Sequence, residues 1–335
     1  MYHIIVDAMG GDHAPEAVIA GVAQAINELS DVKITLVGKE EVISPFLAQH
    51  ETDKARIAIV DAREEIEMAE SPTKAIRSKK DSSMVVGMEL VAAGKGDVFV
   101  TAGSTGAAVA GGTLIVRRAP GVARPALAPV LPGANGGVLL IDCGANVDVR
   151  PAYLAQFGVM GSIYMQTVMG IENPRVGLIN NGAEEEKGNA LTKEAYQLLR
   201  EQEINFVGNV EGRDILAGGC DVVVCDGFTG NVLMKFMEGC AKLLMGMIKD
   251  EMMSSFRTKI GAALALPAFK NVAKQMDYTE YGGALLLGTK AGLIKAHGSS
   301  NAKAIASTIR QARDFAAKGV VAKITENLAS RVEEA

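Results

Sequence analysis

Six short segments of this 335-residue sequence combine glycine with side chains that hold anions or move protons. The first is Asp7-Ala8-Met9-Gly10-Gly11-Asp12-His13, followed by Thr101-Ala102-Gly103-Ser104-Thr105-Gly106 and Asp142-Cys143-Gly144-Ala145-Asn146-Val147-Asp148. Then come the stretch from Asn180 through Glu184-Glu185-Glu186-Lys187 to Asn189, the run Asp226-Gly227-Phe228-Thr229-Gly230-Asn231, and His297-Gly298-Ser299-Ser300. Glycine admits a ligand close to backbone N–H groups, and a helix start adds positive potential, so the default ligand of such turns is a phosphate-like anion. Gly10, Gly11, Gly103, Ser104, Thr105 and Gly106 are the expected phosphate cradle. Ser104 also suits a plain helix N-cap, and both readings use the same geometry. No GxxxxGK[ST] or GxGxxG pattern occurs, which removes support for nucleoside triphosphate and dinucleotide binding.

The polar residues within these segments divide by chemistry. Lys187, beside Gly188 and Asn189, is a cation at a glycine turn and so a candidate phosphate holder. The acids before it also fit a solvated helix start. His13 and His297 stand among small residues in polar turns, where either could shuttle a proton or orient phosphate. Asn146, Asn180 and Asn231 offer amide donors for a polar wall or an oxyanion site. Asp7, Asp12, Asp148 and Asp226 are expected to organise the loops, although Asp7 and Asp12 together could also attract a divalent metal. Cys143 reads as a small buried hydrophobe, since no histidine adjoins it to raise a nucleophile.

The elements that must position these groups are legible as alternation. His3–Ala8, Lys33–Val37, Ile57–Val60, Val98–Thr101, Gly137–Asp142, Arg175–Asn180, Asn205–Val207 and Val222–Cys225 read as strands, mostly apolar throughout, as strands covered on both faces are. Helices fit at Pro15–Glu28, Ser83–Ala93, Ser104–Val116, Pro151–Val168 and Lys187–Gln202. The rhythm predicts an α/β fold with a mostly parallel, doubly wound sheet and all six clusters along one sheet edge. No linker or repeat divides the chain, so one domain over 1–335 is expected. Ala119–Pro132, rich in proline, reads as an extended crossover. The Met- and Leu-rich stretch from about 231 to 276 reads as a projecting helical hairpin turning near Pro267, and Asn301–Ala329 as a closing helix.

Composition narrows the classes. Hydrophobic residues make up 48% of the chain and charged ones 22%, which supports a large aliphatic core and excludes disorder. A net charge of −5 argues against nucleic acid as a partner. Four cysteines without CxxC spacing and four histidines argue against structural zinc or disulfides, and the amino-terminal sequence lacks the form of a signal peptide. A cytoplasmic protein is expected, with no cofactor and no metal.

Taken together, VDAMGGDHAP, TAGSTGA, DCGANVD, EEEKGN, DGFTGNV, YGGA and KAHGSS resemble, in order and over nearly the whole chain, the bacterial phosphate acyltransferases of phospholipid synthesis. Ser104 stands where that family usually has Asn, and Cys143 where an aliphatic residue is usual. The resemblance implies a Rossmann-like αβα sandwich akin to phosphotransacetylases and isopropylmalate dehydrogenases, assembled as a homodimer. It further implies reversible acyl transfer from acyl carrier protein to inorganic phosphate, giving acyl phosphate. Such a reaction suits the residues, because phosphate is itself the nucleophile and a thiolate leaves readily.

Two basic runs, Lys74, Arg77, Lys79 and Lys80, and Arg257, Lys259, Lys270 and Lys274, are the expected docking surfaces for acidic carrier protein. On the hairpin, Phe256, Ile260 and Leu264 recur at helical spacing, with Leu266 and Phe269 beside Pro267. This apolar stripe with a cationic border suits an anionic membrane surface, while packing against a dimer mate is the plainer alternative. Peripheral association with the cytoplasmic membrane follows from the first reading, and the resemblance implies it too, with a downstream membrane acyltransferase as a further partner. Rival functions are an NAD- and metal-dependent decarboxylating dehydrogenase of the same fold class and a non-catalytic phosphate- or lipid-sensing scaffold. The first lacks a recognisable acidic metal cluster and adenosine segment, and the second needs only one polar cluster, not six.

Overall fold

Strand β1 (Tyr2–Asp7) is buried from Ile4 onward, so it requires cover on both faces. In the computed structural model, which describes residues 1–134, 136–275 and 281–333, it pairs in parallel with β2 (Val32–Gly38) and β4 (Val98–Thr101). Strand β3 (Ile57–Asp61) lies outside β2. A second sheet runs in parallel through β7 (Gly136–Ile141), β10 (Val222–Val224), β8 (Arg175–Ile179) and β9 (Asn205–Val210). The two sheets are joined by a strap that the sequence reads only as a crossover: β5 (Ala126–Ala128) ends the first sheet, and β6 (Val130–Gly133) pairs antiparallel with β7. Pro129, which cannot donate to a ladder, separates them.

Two further strands escape the alternating pattern. Strand β11 (Ala284–Leu287) and β12 (Gly292–Lys295) are four residues each, and they complete the seven-stranded order β3-β2-β1-β4-β12-β11-β5. Strand β12 runs parallel beside β4, and β11 turns back antiparallel to both β12 and β5. The clusters therefore lie on the edges of two sheets, not along one as the alternation suggests. Those after β1, β4 and β12 belong to the first sheet, and those after β7, β8 and β10 to the second.

Helices α1 (Glu16–Glu28), α4 (Ser83–Ala92), α5 (Thr105–Gly111) and α6 (Pro151–Thr167) fall where expected, α5 being extended by a π-turn over Gly112–Val116. Short α2 (Glu40–Ala48) and α3 (Pro72–Ser78) are additions. Helix α7 (Ala190–Arg200) starts three residues later than the sequence suggests, because Asn189 and Thr192 form a reciprocal capping box just after Gly188, which has φ +97°. One aliphatic cluster, including Val6, Leu139, Phe157 and Leu287, spans both sheets.

Helices α8 (Gly227–Met252) and α9 (Phe256–Gln275) form the hairpin. Its turn lies at residues 253–255, not at Pro267, which stays inside α9. Ser255 and Thr258 set the break: Thr258 N–H donates to Ser255 Oγ (3.2 Å), and Ser255 N–H donates to Thr258 Oγ1 (3.1 Å). Leu266 and Phe269 consequently sit midway along α9, not at the tip. Met276, the expected end of the hairpin, and the side chain of Lys274 lie outside the described residues. The expected closing helix is two, α10 (Ala302–Ala317) and α11 (Val320–Glu333), parted at Gly319 with φ +63°.

Candidate active site

On the first sheet the loops after β1, β4 and β12 interlock. Asp7, buried at the end of β1, accepts from Thr101 Oγ1 (2.6 Å) and Met9 N–H (3.1 Å), and Thr101 Oγ1 in turn accepts from Gly103 N–H (2.9 Å). Burial raises the Asp7 carboxyl above its ordinary range, opposed by those hydrogen bonds. A Cβ on Gly10 would sit 2.5 Å from Asp7 Oδ2 and 2.7 Å from Gly103 N, so glycine is required for the loops to meet. Gly11 (φ +109°) passes Ala102, and Asp12 N–H reaches Gly298 O at 2.8 Å. Gly106 lies against Pro72, seating α3 on α5. Ser104 caps α5 with Oγ 3.5 Å from Ala107 N.

On the second sheet Asp142 organises the strap. Its Oδ1 accepts from Leu127 N–H (2.8 Å) and Ala145 N–H (3.1 Å); its Oδ2 accepts from Asn146 N–H (2.6 Å) and Asn146 Nδ2 (2.9 Å). Asn146 Nδ2 also donates to Pro125 O (2.8 Å), so both amide protons are spent on the joint and none is left for a ligand. Asp148, three residues further on from Ala145, is exposed, and no hydrogen bond of its side chain is present among the described residues. The organising acid of this motif is therefore Asp142, two-fold engaged at each oxygen. Asp226 does cap α8, accepting from Thr229 N–H (2.8 Å) and Thr229 Oγ1 (2.7 Å).

Between the two sheet edges lies a cavity of about 350 Å³. Its apolar lining comes from the strap and α8: Leu127, Pro129, Val130, Leu131, Met234 and Met237, with Cys143. Its polar lining comes from both sheets: Asp12, Thr105, Lys295 and His297 from the first, and Asn231, Lys235 and Glu238 on α8. Asn231 has no hydrogen bond from its amide to the described residues. His297 Nδ1 accepts from Ser299 N–H (3.2 Å) and lies 2.8 Å from Ser299 Oγ. That backbone donor places the proton of neutral His297 on Nε2.

Of the expected site residues, the structure thus brings Asp12, Thr105, Asn231 and His297 together. The cavity lining omits the others. His13 is exposed in a separate surface depression with Pro15 and Phe46. Lys187 is exposed, and its carbonyl accepts from Asn180 Nδ2 (3.2 Å), while Asn180 Oδ1 accepts from Asn181 N–H (2.9 Å). These two belong to the β8 loop, on the far side of β10 from the strap.

Lys295 is the residue that sequence reasoning passes over. It closes the apolar strand β12 with only 6% of its surface exposed, and its Nζ donates to Ala296 O. Burial lowers its pKa to about 8, against the pull of Asp12 and Asp7 and with a smaller push from Lys235. A lysine ending an apolar run two residues before His297 was the available signal. Cys143 is pushed up to about 12, first by burial and then by Asp142 and Glu238, so its thiol carries no thiolate at neutral pH.

The chain matches the family model described as "Fatty acid synthesis protein" over residues 2–323. It is 52% identical over 323 residues to the phosphate acyltransferase of Bacillus cereus (strain B4264), covering 96% of this chain and 97% of that one. It is 50% identical over 330 residues to that of Clostridium botulinum (strain Loch Maree / Type A3), covering 98% of each. In fold it is similar to a phosphotransacetylase from Streptococcus pyogenes, with TM-score 0.61, 16% identity and 94% of each chain covered. A branched-chain phosphotransacylase from Enterococcus faecalis V583 gives TM-score 0.56 at 14% identity, covering 94% of this chain and 99% of that one.

Proposed function

Because the chain belongs to the phosphate acyltransferase family, we propose that its cavity passes a fatty acyl group from the thioester of acyl carrier protein to inorganic phosphate. The observation that carries this reading is the mixed lining: apolar side chains suited to the acyl chain and polar ones suited to the anion share one cavity where the two sheets end. A phosphate oxygen attacks the thioester carbonyl, forming a C–O bond. The tetrahedral intermediate expels the thiolate, which takes the proton of HPO₄²⁻, so that acyl phosphate and free thiol result. Asn231 suits the oxyanion as an unengaged amide donor, and the Nε2–H of His297 suits the phosphate or the departing sulfur. Thr105 completes the phosphate side at the start of α5. No side-chain nucleophile is needed, in keeping with the buried, protonated Cys143.

The surroundings support the proposed partners. Helix α3 sits on α5 beside the cavity, with Lys74, Arg77 and Lys80 exposed, while Lys79 is engaged by Glu70 at 2.5 Å. That leaves a basic rim for acidic carrier protein. The hairpin exposes Phe256 (79%) and Leu264 (79%), with Ile260 and Leu266 about half exposed and Arg257, Lys259 and Lys270 exposed around them. An exposed apolar stripe of this size calls for cover, and its cationic border favours an anionic membrane surface. Among the described residues no helix is long and apolar enough to cross a membrane, so contact would be peripheral. Helix α8 exposes Phe228, Val232, Phe236 and Leu243 as well, a face suited to a second copy of the chain. The deciding experiment follows carrier thiol released from acyl carrier protein. Release that requires and saturates with phosphate, without nucleotide, supports the reading, and equal release in phosphate-free buffer would point to a thioesterase instead.

A further inference from the structure

We infer that Lys295 is the cation that holds inorganic phosphate in the cavity, paired across it with Lys235. The inference rests on the reading of this cavity as an acyl–phosphate site and assigns the residue that seats the anion. Lys295 is more than nine-tenths buried and lines the cavity from the end of β12, while Lys235 lines it from α8 on the opposite sheet. Among the described residues no carboxylate forms an ion pair with either ammonium, and the partner of Lys295 is the carbonyl of Ala296. A buried cation held only by a neutral carbonyl is expensive to keep charged, and a second ammonium facing the same space adds repulsion. An anion entering between the two would offset that cost.

The groups that face Lys295 from the surrounding elements are Asp7 and Asp12 in the β1 loop, Lys235 and Glu238 on α8, and His297 in its own loop. Asp7 is already engaged by Thr101 Oγ1 and Met9 N–H, and Asp12 is exposed at the cavity edge. Neither carboxylate neutralises the ammonium, whose pKa falls to about 8. A dianion in contact would restore the charged form, so phosphate binding and protonation of Lys295 are linked.

The test measures binding of inorganic phosphate to the acyl-free protein by ³¹P line broadening, and the KM for phosphate in the thiol-release assay. Lys295→Met is expected to weaken phosphate binding and raise its KM at least tenfold, with the KM for acyl carrier protein little changed. Between pH 8.2 and 9.5, where phosphate is almost wholly the dianion, the parent should lose affinity as Lys295 deprotonates, while Lys295→Arg, always charged, should hold a flat profile. A folded Lys295→Met protein with parental phosphate KM overturns the inference. If Lys295→Met does not fold, identical pH profiles for the parent and Lys295→Arg overturn it. A parent whose thiol release ignores phosphate sinks the cavity reading itself, a result distinct from either of these.

Discussion

Replacing Asp142 with Asn should unlock the strap from the second sheet. The carboxylate takes two donors at each oxygen, Leu127 and Ala145 N–H at 2.8 and 3.1 Å, and the two Asn146 donors at 2.6 and 2.9 Å. An asparagine must turn its NH₂ toward one of these pairs and leave two buried donors facing a donor. At roughly 1–3 kcal/mol for each orphaned group, the loss is about 2–6 kcal/mol. Because Leu127 is part of the cavity's apolar lining, activity should fall with stability. Asp148→Asn, in the same sequence motif but exposed, should change stability by no more than about 0.5 kcal/mol. Guanidinium unfolding of the three proteins, compared by midpoint and slope, decides it. An Asp142→Asn midpoint within error of the parent, or an equal loss in Asp148→Asn, refutes the assigned joint.

Cys143→Ala should keep most of the activity, and Cys143, Cys220 and Cys225, all buried, should resist iodoacetamide in the native protein while half-buried Cys240 is alkylated, as read by mass spectrometry. Trapping of an acylated Cys143 would contradict direct attack by phosphate. Arg175 grips Asp221 through two bonds of 2.9 and 3.0 Å; burial pushes that carboxyl up, but the arginine outweighs it and holds it below the ordinary range. Its stabilisation is therefore complete above the unfolded carboxylate pKa of about 3.9 and lost as pH falls through the lower folded value. Asp221→Asn should cost about 1–2 kcal/mol at pH 7, discounted because Arg175 is 36% exposed, and the difference from the parent should close in acid titrations of stability. Ile260→Glu combined with Leu264→Glu should abolish co-sedimentation with anionic vesicles and leave solution activity intact; a fall in oligomeric state instead, read by analytical ultracentrifugation, would make the hairpin stripe a contact between copies of the chain.

The parallel core was legible because its strands are apolar throughout and alternate with helical stretches, as with the runs around Ile4, Val98, Leu140 and Val223. The strap and β11–β12 were not: they lie outside the strand–helix alternation, and their place in the first sheet is set by distant partners, β5 against β11 and β12 against β4. Proline misled the hairpin: Pro267 looks like a stop, yet the α8–α9 break is set by the Ser255–Thr258 capping box, a signal present in the sequence and outweighed by a stronger-looking one. At the candidate site, glycine turns marked the strand-end loops but said little about which side chains line the cavity. Gly103 and Asn146 have their donors spent on holding loops together, and Lys295 hides as the last residue of an apolar strand. Polar type and turn position mark where chemistry can occur, whereas the hydrogen bonds already made decide which groups remain available for it.

In the proposed reaction the anion entering the cavity leaves covalently joined to the acyl group. Incubation with palmitoyl acyl carrier protein and ³²P-orthophosphate, followed by organic extraction and trapping with hydroxylamine, measures this directly. One equivalent of hydroxylamine-labile acyl [³²P]phosphate is expected for each carrier thiol released. Thiol release accompanied by free fatty acid, with no label in the lipid fraction, would contradict it.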